Sequence, residues 1–134
     1  MKLKIIFALL VICTLLGTNS FAQNSALKIK ATAPIKLKLG QSFKLKASVA
    51  HNFNIEKTGG LTCTLLNAKT HVPVDGWFIN IFPFQYFTTI SNTPFETEFS
   101  FTVPNDYKGN FEINLVATAD QIKDSIHFIV PTYK

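Results

Sequence analysis

Residues Phe95–Val103 read FETEFSFTV. Side chains two apart share one face of a strand. Phe95, Thr97, Phe99, Phe101 and Val103 therefore point one way, and Glu96, Glu98, Ser100 and Thr102 the other. An aromatic set opposite a charged and hydroxylated set is the pattern of a half-buried antiparallel strand. Downstream, Pro104–Gly109 is a dense turn signal. Asn110 to Ala119 repeats the alternation with Phe111, Ile113 and Leu115 inward, Asp120 to Asp124 turns the chain, and Ser125 to Val130 makes a last strand before Pro131.

Upstream lies the aromatic stretch HVPVDGWFINIFPFQYF, His71 to Phe87, with the single Trp of the chain (Trp77), four of its thirteen Phe and two of its six Pro. Buried aromatics carry the largest area per residue, so this stretch is a main source of core. Proline lacks a ladder donor, which places Pro73 and Pro83 at strand starts, edges or loops. The expected layout is a turn at Asp75-Gly76, a short strand from Trp77 to Phe82, and a second from Tyr86 to Ile90. Further upstream, Leu61–Leu66 is a strand. His51–Gly60, ending Thr58-Gly59-Gly60, is expected to be a loop. The opening runs Leu27–Lys30, Ile35–Leu39 and Phe43–Val49 alternate apolar residues with lysine. No stretch keeps a helical period.

Seven to eight short strands separated by turns every eight to twelve residues predict an all-β fold. The expected form is an antiparallel β-sandwich of immunoglobulin-like type, with a small barrel as the alternative. The first residues stand apart. Lys2 and Lys4 precede an apolar run from Ile5 to Leu16, and Ser20-Phe21-Ala22 follows as a small-x-small site. This reads as a signal peptide over 1–22, cleaved after Ala22, giving a periplasmic or secreted protein with one domain over 23–134 and no transmembrane segment.

Losing Lys2 and Lys4 with the leader leaves eleven basic residues against eight acidic ones, and every basic residue is lysine. Readers of phosphate and base edges lean on the arginine fork, so no nucleic-acid partner is expected. Six of the lysines fall between Lys28 and Lys46, interleaved singly with apolar residues, as on a solvated strand face that resists edge-to-edge aggregation. Cys63 has no partner cysteine in the 23–134 domain and sits on the apolar side of Leu-Thr-Cys-Thr-Leu, which predicts a buried, inert thiol.

Catalytic and metal-binding patterns are not found. His51, His71 and His127 lack ligand spacing. Glu96 and Glu98 share one strand face instead of flanking a cleft from separate elements. There is no nucleophile elbow, phosphate loop or calcium loop. The chain is expected to be no enzyme and to use no cofactor.

A resemblance adds to this. Pro73-Val74-Asp75-Gly76-Trp77-Phe78, Asn80, Phe82-Pro83 and Gln85-Tyr86-Phe87-Thr88 resemble a segment of bacterial α2-macroglobulin-family proteins, in the macroglobulin-type β-sandwich domain between bait region and thioester domain. Ala33-Pro34, Gly40-Gln41-Ser42, Val49–Asn54, Pro104–Ala119 and Asp124–Pro131 resemble its other landmarks in order, although Gln41 replaces the usual acid. The family traps proteases through a bait region and a Gly-Cys-Gly-Glu-Gln thioester. Cys63 does not match that motif, so the resemblance implies a fold and a binding surface without covalent trapping. The expected partner is a protein: a protease, a full-length macroglobulin or an envelope protein. The candidate surface is Trp77, Phe82, Phe84 and Tyr86. Outward aromatics would equally suit an extracellular adhesion or glycan-binding module, since sugar rings stack on flat side chains. Trp77 could instead plug the core between the sheets, as tryptophan does in such sandwiches.

Overall fold

The computed structural model describes residues 26–134, so the predicted signal peptide lies outside the described residues. Nine strands follow one another: β1 (Leu27–Ala31), β2 (Leu37–Lys38), β3 (Ser42–His51), β4 (Lys57–Asn67), β5 (Phe84–Thr89), β6 (Phe95–Thr102), β7 (Phe111–Ala119), β8 (Ile122–Val130) and β9 (Thr132–Tyr133). They form a three-stranded sheet β1-β3-β6, a four-stranded sheet β5-β4-β7-β8, and a two-stranded parallel pair β2-β9. Both larger sheets are antiparallel throughout. Two sheets face each other over one core, which makes the fold an immunoglobulin-like β-sandwich.

Period-two patterning sets which face is buried. Phe99, Phe101 and Val103 in and after β6, Phe111, Ile113, Leu115 and Ala117 in β7, and Leu61, Cys63 and Leu65 in β4 are buried, while their alternates, Gly60 excepted, are not. Fully burying a side chain such as Leu or Phe stabilises by about 1.5–3 kcal/mol. Leu45, Val49 and Leu27 complete the other wall. One end of the core is aromatic: Trp77 meets Tyr107 edge-on at 4.7 Å between centroids and Phe111 at 5.3 Å, and Phe111 packs on Phe101 at 5.7 Å.

Three expectations are corrected. Thr58-Gly59-Gly60 is not loop but the first half of β4, paired on one side with Thr88, Phe87 and Tyr86. These glycines serve close approach rather than turning: a Cβ on Gly59 would lie 2.0 Å from the Thr118 carbonyl oxygen. The strand expected over Ile35–Leu39 shrinks to Leu37–Lys38, bridged to the C-terminal residues: Leu37 N–H donates to the Pro131 carbonyl at 2.9 Å. Trp77–Phe82 forms no strand. The Asp75-Gly76 corner (Gly76 φ 75°), Asn80 (φ 50°) and Pro83 break it.

That segment has another role. Pro73 bridges Leu66 at the far end of β4, and Phe84 pairs with Thr62 nearer its start. A step of four residues along β4 thus corresponds to eleven along its neighbour, and the seven extra residues cross to the other sheet and back. On the way they cover the edge of β6. Thr102 N–H donates to the Trp77 carbonyl at 2.8 Å, and Ile79 N–H donates to the Ser100 carbonyl at 2.9 Å. The excursion puts Trp77 into the core and delivers the chain to β5 with Phe82 at the surface.

Candidate binding surface

The sequence-predicted residues divide. Trp77 is 5% exposed and belongs to the core, so it is withdrawn from the candidate surface. Its edge-on contacts with Tyr107 and Phe111 give the physical reason: the excursion turns the indole inward between the sheets. Phe82 is 80%, Tyr86 79% and Phe84 40% exposed. These three lie together at the β5 margin of the four-stranded sheet.

Strand register explains the grouping. Phe84 and Tyr86 alternate with the inward Phe87, so both stand on the outer face. Tyr86 is opposite Gly60, and Gly60 opposite Thr118; Phe84 is opposite Thr62, and Thr62 opposite Val116. The bare backbone at Gly60 is covered by the Phe84 ring: a Cβ there would come within 2.4 Å of Phe84 Cζ. An aromatic laid over a strand glycine restores the side-chain contact the glycine lacks. Tyr86 meets the Phe84 ring edge-on at 4.7 Å, which holds the pair in one orientation. Beside them, Thr58 and Thr88 hydroxyls hydrogen-bond at 3.0 Å. Further across, this face presents Thr64, Asn114, Ser125 and His127. Its centre carries no charged side chain.

The outer face of the three-stranded sheet is the opposite in character. Lys28 and Lys30 on β1, Lys44 and Lys46 on β3, and Glu96 and Glu98 on β6 line it, with Lys46 opposite Glu98. Lys44 Nζ lies 3.8 Å from Glu98 Oε1, both side chains being well exposed. A shallow depression here is lined by Lys30, Lys46, Ser48, Glu96 and Glu98. The two glutamates thus share one strand face among lysines, as on a solvated surface.

The remaining reactive groups are engaged elsewhere. His51 is buried; its Nδ1 accepts from Phe53 N–H at 3.1 Å, which makes Nε2 the donor to the Thr89 carbonyl at 2.7 Å. His71 Nδ1 faces Glu112 at 3.4 Å. Burial pushes the Cys63 thiol up to about 12, which keeps it protonated and unreactive, as the sequence predicts for a buried thiol. Among the described residues no group of three or more His, Cys, Asp or Glu is placed to hold a metal ion. No helix among them is long and apolar enough to cross a membrane.

The pairing of Phe84 with Gly60 was missed in sequence. Its one signal was a Gly-Gly inside an alternating segment, which suits a bulge or close approach as well as a turn.

No protein-family model and no curated protein matches the chain. Its fold is similar to part of a beta-glucosidase from Listeria innocua, with a TM-score of 0.57 and 17% identity over 81% of this chain. It is also similar to Spo0M, a sporulation control protein from Bacillus subtilis, with a TM-score of 0.53 and 14% identity over 81% of this chain and 50% of that one. The SrpA adhesin from Streptococcus sanguinis is a third, with a TM-score of 0.52 and 16% identity over 84% of this chain and 59% of that one. The chain spans about a sixth of the beta-glucosidase, covering 16% of it. At these identities the likeness is one of fold: the chain is a β-sandwich module of a kind found within larger proteins.

Proposed function

We propose that the chain is an exported, non-catalytic binding module that engages a protein partner through the aromatic margin of its four-stranded sheet. One observation carries the reading: Phe82, Phe84 and Tyr86 stand exposed together beside a face without central charge, while Lys28, Lys30, Lys44, Lys46, Glu96 and Glu98 line the opposite face. Aromatic residues are enriched and lysine and glutamate depleted at the cores of protein interfaces. The resemblance of Pro73–Thr88 to the macroglobulin-type domain supports the same reading and names the partners to try first: a protease, a full-length macroglobulin or an envelope protein. Export rests on the leader-like sequence of residues 1–22.

A second reading has its own support. Tyr86 offers a flat, exposed ring next to the hydroxyls of Thr58, Thr88 and Thr62, an arrangement on which a sugar ring can stack and hydrogen-bond. One of the similar folds is that of an adhesin.

The test is a crosslinked pull-down with the tagged chain from native envelope and secreted fractions, run beside a glycan array. The expected result is recovery of a protease, macroglobulin or envelope protein, lost in a Phe84→Ala/Tyr86→Ala variant that keeps the wild-type melting curve. Array binding lost in the same variant, with no protein recovered, would replace the protein partner by a glycan. Capture that survives the double substitution would overturn the assignment of the surface.

A further inference from the structure

Each of the two larger sheets has two edges, and three of the four edges are protected. The β6 edge is covered by Trp77–Ile79. On β1, Lys28 and Lys30 point outward, and the Ile29 N–H is taken by the Asp124 carboxylate at 2.8 Å, reached across from β8. The β8 edge carries Lys123 on its outer face and Asp124 turned inward. Lysine, inward charge and covering segments are the devices by which sheet edges avoid pairing with another chain.

The β5 edge has none of them. Its sequence, FQYFTT, is uncharged and rich in aromatic and β-branched residues. The phase of its ladder follows from Cys63 N–H, which donates to the Pro83 carbonyl at 2.7 Å. Alternate residues in an antiparallel pair exchange bonds, so the odd-numbered residues of β5 bond to β4. The N–H and C=O groups of Phe84, Tyr86 and Thr88 then point away from it. No strand among the described residues pairs on that side.

We propose that a second copy of this chain adds at this edge, the two β5 strands running antiparallel about a two-fold axis through Tyr86. Two features select a second copy over an unlike partner. First, the edge is self-complementary in type. Antiparallel pairing about Tyr86 sets Phe84 opposite Thr88 of the other copy and Tyr86 opposite Tyr86, and aromatic–β-branched and aromatic–aromatic pairs are favourable across strands. The three outward residues of each copy supply about six interchain backbone hydrogen bonds. Second, residues 23–134 carry eleven lysines against eight acidic residues, so copies repel wherever lysine faces meet. The β5 edge lets like copies approach without opposing lysines. The cation nearest in register, Lys57, is opposite Thr89 and already bound by Asp120 at 2.7 Å. The product is one continuous eight-stranded sheet in which the Phe82, Phe84 and Tyr86 clusters of both copies adjoin. Pairing at this edge goes beyond the binding reading above and does not depend on it.

Sedimentation and light scattering on the purified chain alone, from micromolar to near-millimolar concentration, test the inference without any partner. The expected result is a concentration-dependent dimer. Tyr86→Lys puts like charges opposite each other at the axis, and raises the dimer Kd on the order of tenfold or more. Thr88→Pro removes one outward N–H that β4 does not use, and acts likewise. Register is read with Tyr86→Cys, because directly opposed residues of a hydrogen-bonded pair lie within disulfide reach. Oxidation links Tyr86→Cys into covalent dimers and leaves Lys44→Cys, on the opposite face, monomeric. A wild-type chain that stays monomeric throughout would overturn the proposal. So would a dimer that persists unchanged in Tyr86→Lys, a substitution at a solvent-exposed side chain that the monomer tolerates even where Thr88→Pro fails to fold.

Discussion

The two outer faces of the sandwich are built by the same alternation and end up with opposite chemistry. On the three-stranded sheet the outward residues are mostly lysine, glutamate and serine. Those side chains hold one another only loosely, as the 3.8 Å Lys44–Glu98 contact shows. On the four-stranded sheet the central positions hold threonine, asparagine, valine and glycine, with Glu112 and Lys123 towards opposite ends and Phe84 and Tyr86 closing one margin. The first face stays in water and discourages association. The second keeps large apolar side chains exposed, with their orientation set by Gly60 beneath and by the edge-on ring contact. A soluble surface needs only charge, whereas a recognition surface needs fixed shape. The difference between the faces is therefore a difference in order as well as in polarity.

The comparison can be broken hardest at Trp77, where the aromatic stretch turns from surface to core. Trp77→Ala should cost about 3–5 kcal/mol, the range for large-to-small changes at buried aromatics. Tyr86→Ala, in the same aromatic stretch but exposed, should lie within about 0.5 kcal/mol of wild type. Denaturant melts of the two variants measure the contrast. Equal, small losses would return Trp77 to the surface.

Cys63, on the core side of the aromatic face, gives a pH signature. Its thiol ionises near 9.0 in the unfolded chain and only at about 12 when folded. The folded pKa is raised, so the associated stability is fully present below about 9 and is lost as pH rises towards about 12. Melts through this window should show a steeper alkaline loss in wild type than in Cys63→Ala, which cannot ionise there. Parallel curves would contradict the burial.

A smaller effect sharpens the role of the glycine. Gly60→Ala must drive the Phe84 ring off its seat, at a cost of about 1 kcal/mol. The aromatic near-UV circular dichroism should weaken with it, and an unchanged spectrum would mean that the ring is not held by the glycine. The smallest effect belongs to the charged face. Glu98→Gln should change stability by less than about 0.5 kcal/mol, because exposed ion pairs are weak.

The strands around Phe95–Val103 and Phe111–Ala119 were plain in the sequence because each is half-buried, and period two is then compulsory. Gly59-Gly60 and Trp77–Phe82 depart from the sequence expectation for a shared reason. Glycine and aromatic residues there answer to a neighbour on another strand, namely the Thr118 carbonyl, Phe84 and the β6 edge, and local pattern does not name that neighbour. Phe82, Phe84 and Tyr86 are candidates from the aromatic stretch that carries the macroglobulin resemblance. Their exposure, and the separation of Trp77 from them, follow from the seven-residue excursion between sheets, which no periodicity encodes. The open β5 edge is likewise a property of strand order.

The most direct test of the proposed binding surface is position-specific photocrosslinking in the native envelope and secreted fractions, with the reactive group placed at Tyr86 in one sample and at Lys46 in another. Covalent capture of a discrete partner from position 86, beyond the chain itself, with none from position 46 is the predicted result. Equal capture from both positions, or capture from Lys46 alone, would contradict the assignment of the aromatic face.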